Sequence, residues 1–155
     1  MTEPGLSQLC VLRVGAEEYV VDLSRVDEIL PIPEVTPVPR APGFLEGVVK
    51  LRGEVVPVVD VRKRLGVLPG QGQVLTPSGK PRNRERLLVC RIGRRRVGFL
   101  VDAVTHVLKV PRASLRPAPL ASGPGRQPHV LGVCGEAGQL KLLLDVKALV
   151  AGEGE

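Results

Sequence analysis

Cysteines and histidines, the side chains that most often act as nucleophiles and metal ligands, are sparse in this chain. The two histidines, His106 and His129, have no cysteine or aspartate pattern around them, and the three cysteines form no CxxC pair. We therefore predict no metal site. An odd number of cysteines without paired spacing is also typical of a reducing compartment.

Two aspartates, Asp60 and Asp145, each follow an apolar run and precede a short stretch that we expect to be helical. A pair of carboxylates serves acid–base catalysis when both converge on one substrate. An aspartate just before a helix, however, accepts hydrogen bonds from the unpaired amides of the first turn, and this capping role explains both positions. The chain has no GxxxxGK[ST] loop and no GxGxxG turn after a strand. We predict neither an enzyme nor a bound cofactor.

One arginine stands out by its position, since Arg52 lies in the stretch "KLRGE" (Lys50–Glu54) between two valine-rich segments. Either this arginine is an ordinary exposed residue of a hairpin turn, or the turn presents it to a partner. A guanidinium offers five donors in one plane, which suits the carboxylates and backbone carbonyls of another protein.

Positive charge is concentrated in one segment of the chain. The formal net charge is +6, and from Lys80 to Arg96 there are eight basic residues and one acidic residue, or +7, which leaves −1 for the rest. This segment suggests an alternative function, the salt-sensitive binding of single-stranded nucleic acid. Barrels that bind single strands also use aromatic stacking platforms, and here the aromatic residues are Tyr19, Phe44 and Phe99, of which we expect Phe99 in the core. Otherwise the segment is a solvated turn and linker, or it contacts an acidic protein surface.

The elements that position these residues are predicted to be short strands. A length of 155 residues, with 18 glycines, 15 prolines, no tryptophan and many valines, favours one domain built from strands and turns. No apolar run reaches the roughly 20 residues that cross a bilayer, and the start lacks the build of a secretory signal. We expect a cytoplasmic protein.

The chain repeats itself in two blocks that occur in the same order. Residues 11–30 align with residues 89–108 at a shift of 78, and residues 47–65 align with residues 132–150 at a shift of 85. In each pair, glycines and apolar positions coincide. We infer an internal duplication.

Each half is predicted to fold in the same way, as three strands, a Pro-rich loop (31–42 or 111–128), a hairpin and a short helix. Because five strands that close on themselves hide their edges, we predict an all-β protein of two small barrels packed side by side. The first would span about 9–68 and the second about 87–150, with a linker at 69–86.

The repeat also helps to distinguish residues that the fold requires from residues that are candidates for function. All three cysteines align with an aliphatic residue of the other copy, so we interpret them as small buried apolar side chains. Gly53 aligns with Gly138, as expected if the turn needs the positive φ that glycine adopts without strain. Arg52 aligns with Ala137, so the turn does not need the guanidinium. A residue that is present in one copy alone is a candidate for binding a partner.

Three ordered motifs resemble the CheW family of bacterial chemotaxis coupling proteins. The stretch "FLEGVVKLRGEVVPVVDVRKRLG" resembles the family pattern "FIxGVxNLRGxxxPVVDLRxxFG", and "LRVGAEEYVVDLSRVDEIL" is similar to "FxLGxExYxVDIxxVxEI". The stretch "RRVGFLVDAVTHVLKVPRASLRPAP" resembles the second-half "VGxxVDxVxxV" pattern and its loop ending in "PAP". The resemblance covers Leu9 to Val150, and it implies that residues 1–155 form a single CheW-like domain of two five-stranded SH3-like barrels.

The resemblance also implies partners. Members of this family are not enzymes: they bind the cytoplasmic tip of chemoreceptors and the regulatory domain of the histidine kinase CheA, and the receptor helices lie in a groove between the barrels. By motif position, the implied receptor-binding residues are Arg52, Val26, Glu28 and Val104. The motifs do not assign kinase-binding residues.

Two features depart from the family pattern. Lys50 replaces the usual asparagine of "NLRG", and the basic density from Lys80 to Arg96 is unusual. Both suggest a dedicated receptor–kinase pair or a motility or developmental array. A scaffold that binds the kinase but lacks a receptor groove is a further alternative.

Overall fold

The structure, a computed structural model, describes residues 6–15, 17–66, 85–117, 129–135 and 140–150. Within these ranges the chain forms short strands, two short helices and two turns of 3-10 helix. The strands are β1 (Leu6–Val14), β2 (Glu17–Asp22), β3 (Val26–Pro31), β4 (Leu45–Leu51), β5 (Glu54–Asp60), β6 (Arg86–Ile92), β7 (Arg95–Val101), β8 (Ala103–Pro111), β9 (Arg116–Pro117), β10 (Val130–Cys134) and β11 (Lys141–Leu144). The helices are α1 (Val61–Leu65) and α2 (Val146–Val150). Most of the predicted linker 69–86 and of the predicted loop 111–128 lies outside the described residues.

The strands form two sheets, which confirms the predicted all-β class. One sheet has the order β8-β1-β2-β11-β10-β9 and is called the six-stranded sheet, although β9 contributes only two residues. The other has the order β3-β6-β7-β5-β4 and is called the five-stranded sheet. Neighbouring strands are antiparallel, apart from the parallel pairs β2–β11 and β5–β7.

Each sheet takes strands from both halves of the sequence. The first two strands of the first half, β1 and β2, lie with β8, β10 and β11 of the second half, and β6 and β7 lie with β3, β4 and β5. The structure therefore differs from the expectation that residues 9–68 and 87–150 each close on their own strands. The physical reason is that the β1–β2 and β6–β7 hairpins are equivalent copies, so each can pair with the strands that follow the other one.

The strand registers confirm both shifts of the internal repeat. Val26 faces Cys90 across β3 and β6, and Val104 faces Leu12 across β8 and β1, each just before a β-bulge. These partners differ by 78 positions. The β4–β5 and β10–β11 hairpins likewise share a bulge, before Gly47 and before Gly132, which are 85 positions apart.

The central strands bury both of their faces, which explains their continuous apolar runs. In β6, Leu87 and Val89 pack against other buried side chains of the five-stranded sheet, whereas Leu88 and Cys90 face the layer between the two sheets. Strand β1 alternates in the same way, with Leu9 and Val11 on one side and Cys10, Leu12 and Val14 on the other. Phe99 also lies in the central layer, 1% exposed, as predicted.

The two aspartates singled out in the sequence cap helices. The Asp60 carboxylate accepts a hydrogen bond from the Arg62 amide at 2.9 Å, and the Asp145 carboxylate accepts one from the Lys147 amide at 3.0 Å. Both capping roles are therefore confirmed. The backbone amides of these aspartates also donate to equivalent carbonyls, those of Phe44 and His129, each at 2.8 Å.

The three cysteines are buried free thiols, as predicted from their aliphatic counterparts. Burial raises the pKa of all three thiols, and with the nearby Cys10 and Asp27 it raises the pKa of Cys90 to about 12. These thiols therefore remain protonated at neutral pH. No helix within the described residues has the length and apolar character needed to cross a membrane.

Candidate functional site

The β4–β5 hairpin turns through two residues, Arg52 and Gly53. Their φ angles are 49° and 80°, the signature of a type I′ turn, which requires positive φ at both central positions. The predicted conformation of Gly53 is confirmed, whereas its counterpart Gly138 lies outside the described residues. Asparagine, aspartate and glycine are the usual first residues of such a turn, so arginine is an uncommon choice there.

The Arg52 side chain is exposed and nevertheless held in place. Its two terminal nitrogens bind the two carboxylate oxygens of Glu28 on β3: Nη1 donates to Oε2, and Nη2 donates to Oε1 at 2.8 Å. The Arg52 side chain is 68% exposed and that of Glu28 is 17% exposed. Because β3 and β4 are opposite edges of the five-stranded sheet, the sheet must curl enough to bring Glu28 on β3 within reach of the arginine at the tip of the β4–β5 hairpin.

The ion pair changes the protonation of Glu28. The hydrogen bonds from Arg52 lower the pKa of the Glu28 carboxyl below its ordinary value and outweigh the opposing effect of desolvation. The positive charges of Arg52 and Arg96 lower it further. Glu28 is therefore a carboxylate at neutral pH and a firm acceptor for Arg52.

A second arginine, Arg96, also donates a hydrogen bond to Glu28. Arg96 on β7 donates through Nη1 to Glu28 at 3.4 Å and through Nε to Glu54 at 2.8 Å, and its Nη2 also donates to Glu54. The Arg96 side chain is 20% exposed. Arg52, Glu28, Arg96 and Glu54 together are called the ion-pair network. It joins β3, β5, β7 and the hairpin tip.

The ion-pair network belongs to the five-stranded sheet. At the equivalent positions of the six-stranded sheet, Glu28 is replaced by His106 and Arg96 by Glu18. The counterparts of Arg52 and Glu54, Ala137 and Gln139, lie outside the described residues. Sequence reasoning found Arg52 and Glu28 but missed Arg96 and Glu54, although the reversal of charge between Arg96 and Glu18 was visible in the repeat.

The two predicted apolar site residues lie close to the central core. Val26 begins β3, two residues before Glu28, and Val104 occupies the equivalent position on β8 of the other sheet. Both are half-buried and pack against the same layer between the sheets. Arg52 and Glu28 are thus in direct contact, Val26 is their neighbour along the strand, and Val104 is its counterpart in the six-stranded sheet.

The chemistry available at this site is ionic binding. A guanidinium with a fixed orientation can donate to carboxylates or carbonyls of a second protein. In the part of the chain that the structure describes, no group of three or more His, Cys, Asp or Glu side chains is placed to hold a metal ion.

Fold and site together define an all-β protein of two strand-exchanged sheets that presents an arginine at a hairpin tip. The model of the CheW-like domain family matches residues 8–153. The chain therefore belongs to the CheW-like family, as the sequence motifs predict.

Relatives and a solved structure agree with this assignment. The chain is 32% identical to "Chemotaxis protein CheW" of Rhizobium meliloti (strain 1021), over 96% of this chain and 90% of the relative. It is 34% identical to "Protein FrzA" of Myxococcus xanthus, over 81% of this chain and 72% of the relative. The crystal structure of the scaffolding protein TtCheW from Thermoanaerobacter tengcongensis has the same fold, with a TM-score of 0.82, 24% identity and coverage of 96% of this chain and 95% of that chain.

Proposed function

We propose that this chain is a non-catalytic adaptor that couples chemoreceptors, the methyl-accepting chemotaxis proteins, to a CheA-type histidine kinase in chemotaxis or motility signalling. Membership of the CheW-like family and the chemotaxis names of its relatives support this function. We also place the adaptor in the cytoplasm, where it would join membrane receptor arrays through protein partners alone.

The observation that carries the proposal is the exposed guanidinium of Arg52, oriented by Glu28. An arginine has five N–H donors, and Glu28 accepts from two of them, so three remain available to a partner. Because the ion pair already restricts the side chain, less conformational entropy is lost on binding. The receptor tip would therefore meet a donor group that is fixed in direction before contact.

The receptor site would extend from Arg52 and Glu28 to Val26 and Val104. A helical receptor segment in a groove is held by apolar anchors and oriented by a polar group. Val26 and Val104 would supply part of the apolar contact, since both are half-buried beside the central core. Kinase-binding residues are not assigned.

Binding measurements with two purified fragments test the proposal: a receptor cytoplasmic tip and a CheA regulatory domain. We expect Arg52→Gly to weaken receptor binding by about tenfold or more and to leave kinase binding unchanged. Glycine suits the positive φ of this turn, so the melting temperature should change by less than about 4 °C. Arg112→Gly, at an exposed arginine in the 3-10 turn that follows β8, is the control and should affect neither partner.

The outcomes separate the alternatives. If neither fragment binds the wild-type chain at tens of micromolar, the adaptor function is wrong. If the kinase fragment binds and the receptor fragment does not, the chain is a kinase-binding scaffold. If the receptor fragment binds the wild type and Arg52→Gly equally well, the receptor site lies elsewhere.

A further inference from the structure

Two hairpin tips and the start of a third strand lie together at one end of the five-stranded sheet. Strands β5 and β7 are parallel neighbours, with Val58 beside Gly98, so the β4–β5 and β6–β7 turns are at the same end. Hydrogen bonds from Arg96 to Glu54 and to Glu28 link β7 to β5 and to β3 across this end. The three segments therefore present one continuous surface.

This surface carries an excess of positive charge, and we call it the basic end. It has seven basic and three acidic residues, a surplus of four positive charges. The basic residues, all exposed apart from the half-buried Arg96, are Arg25, Lys50, Arg52, Arg91, Arg94, Arg95 and Arg96; the acidic residues are Asp27, Glu28 and Glu54.

Each of the three carboxylates is already paired with an arginine of the basic end. Asp27 pairs with Arg91 at 3.2 Å, Glu28 pairs with Arg52, and Glu54 pairs with Arg96. The remaining cations, Arg25, Lys50, Arg94 and Arg95, form no ion pair within the described parts of the chain. The surplus charge is thus available to a second molecule.

The fold does not require this charge. At the equivalent β1–β2 hairpin of the other half, the positions of Arg95 and Arg96 are occupied by Glu17 and Glu18. The same turn, in the same register, accommodates either sign. The needs of the turn therefore do not explain the exposed arginines Arg94 and Arg95.

We propose that the basic end is a docking surface for an acidic protein segment, in which Arg94 and Arg95 extend the contact that begins at Arg52. This inference rests on the proposed function and adds to it the chemistry of the partner: a segment with several spaced Asp or Glu side chains. Complementary charge of this kind selects one partner among similar ones and accelerates association.

The surface favours protein carboxylates over polyphosphate. Asp27, Glu28 and Glu54 are interleaved with the cations, and they would repel an unbroken row of phosphates. Stacking of bases is also unsupported, since Tyr19 and Phe99 are buried. The third aromatic residue, Phe44, lies beside α1 at the opposite end of the five-stranded sheet, where its ring is 4.3 Å from the Arg64 guanidinium carbon.

The test compares two double variants with the same change of charge, Arg94→Glu/Arg95→Glu and the control Lys109→Glu/Arg112→Glu, on β8 of the six-stranded sheet and in the 3-10 turn that follows it. The probes are a Glu-rich helical peptide, a single-stranded oligo-dT and vesicles of phosphatidylglycerol and phosphatidylcholine, all at low ionic strength. We expect the wild type to bind the peptide, and Arg94→Glu/Arg95→Glu to lower that affinity by about tenfold or more. The control should stay within about twofold, and added salt should weaken wild-type binding.

The inference is overturned if the peptide does not bind, if both double variants lose binding equally, or if oligo-dT or vesicles bind more tightly than the peptide. The milder variant Arg94→Gln/Arg95→Gln should give an intermediate loss, and matched melting temperatures show that each variant is folded.

The receptor fragment is measured in parallel. If it binds while the peptide does not, the proposed function stands without the acidic segment; if the peptide binds while the receptor fragment does not, the basic end stands without the proposed function.

Discussion

At the tip of the β4–β5 hairpin, the backbone and the side chain of Arg52 have opposing preferences. The residue holds a positive φ of 49°, in the left-handed region that a non-glycine residue adopts only with strain. Its guanidinium gains two hydrogen bonds to Glu28 and remains mostly exposed. Exposed ion pairs add little to stability, so the turn gains little from this arginine, as expected under the proposed binding role.

The protonation of Glu28 gives a prediction at the same scale. Because its pKa is lowered in the folded chain, the stabilising effect of the ion pair is present above the ordinary carboxyl pKa and is lost as the pH falls through the lowered value. We expect a carbon-13 NMR titration to show that Glu28 becomes protonated at a lower pH than an ordinary glutamate. In Arg52→Gly the pKa should rise, but it should remain influenced by Arg96, which stays 3.4 Å away. Identical titration curves for the two proteins would show that the ion pair does not form in solution.

The elements depend on glycine where two backbones meet. Gly47 lies at the β-bulge of β4, and Thr36 forms a bridge with the neighbouring Val48 through two hydrogen bonds of 2.8 Å. This bridge covers the outer edge of β4, which would otherwise present unpaired groups. A Cβ at Gly47 would collide with the Thr36 carbonyl oxygen, which is backbone and cannot move away easily.

We therefore expect Gly47→Ala to lower the free energy of unfolding by about 2 kcal/mol or more. Gly43→Ala is the matched control, because an added Cβ there meets nothing within 4 Å, and its effect should stay below about 0.5 kcal/mol. Urea unfolding of both variants provides the measurement. Equal stabilities would mean that the bridge from Thr36 does not form.

Local patterns predicted the elements well and their partners poorly. The strands, the capping roles of Asp60 and Asp145 and the burial of the cysteines follow from hydrophobic spacing and from the repeat, because each depends on neighbours in sequence. The exchange of the β1–β2 and β6–β7 hairpins does not follow from these patterns, since the two hairpins are equivalent copies and the later strands of either half could pair with either one. Arg96 was missed for a related reason: its contacts with Glu28 and Glu54 bring together residues that are 68 and 42 positions away.

The two sheets of the whole molecule are joined where the chain crosses from β7 to β8. Asp102 lies at this crossing, 6% exposed. Its carboxylate accepts from the Gly15 amide at 2.6 Å, at the β1–β2 turn, and from Arg62 Nη1 at 3.1 Å, on α1. Arg62 also contacts the helix cap Asp60. One buried carboxylate thus ties a turn of the six-stranded sheet to the helix that follows β5 of the five-stranded sheet.

The Arg62–Asp102 pair gives the prediction for the whole fold. Burial lowers the pKa of the Arg62 guanidinium, but Asp60, Asp102 and Glu85 together raise it above its ordinary value, so Arg62 stays charged. Replacement by an apolar side chain leaves Asp102 buried without its cation, and Arg62→Met should lower the free energy of unfolding by about 3 kcal/mol. Asp102→Asn removes the charge that Arg62 neutralises, so the double variant should lose less than the sum of the two single losses, by about 1 kcal/mol or more. Strictly additive losses in urea unfolding would mean that the two residues act independently and that the sheets are held together by the central apolar layer alone.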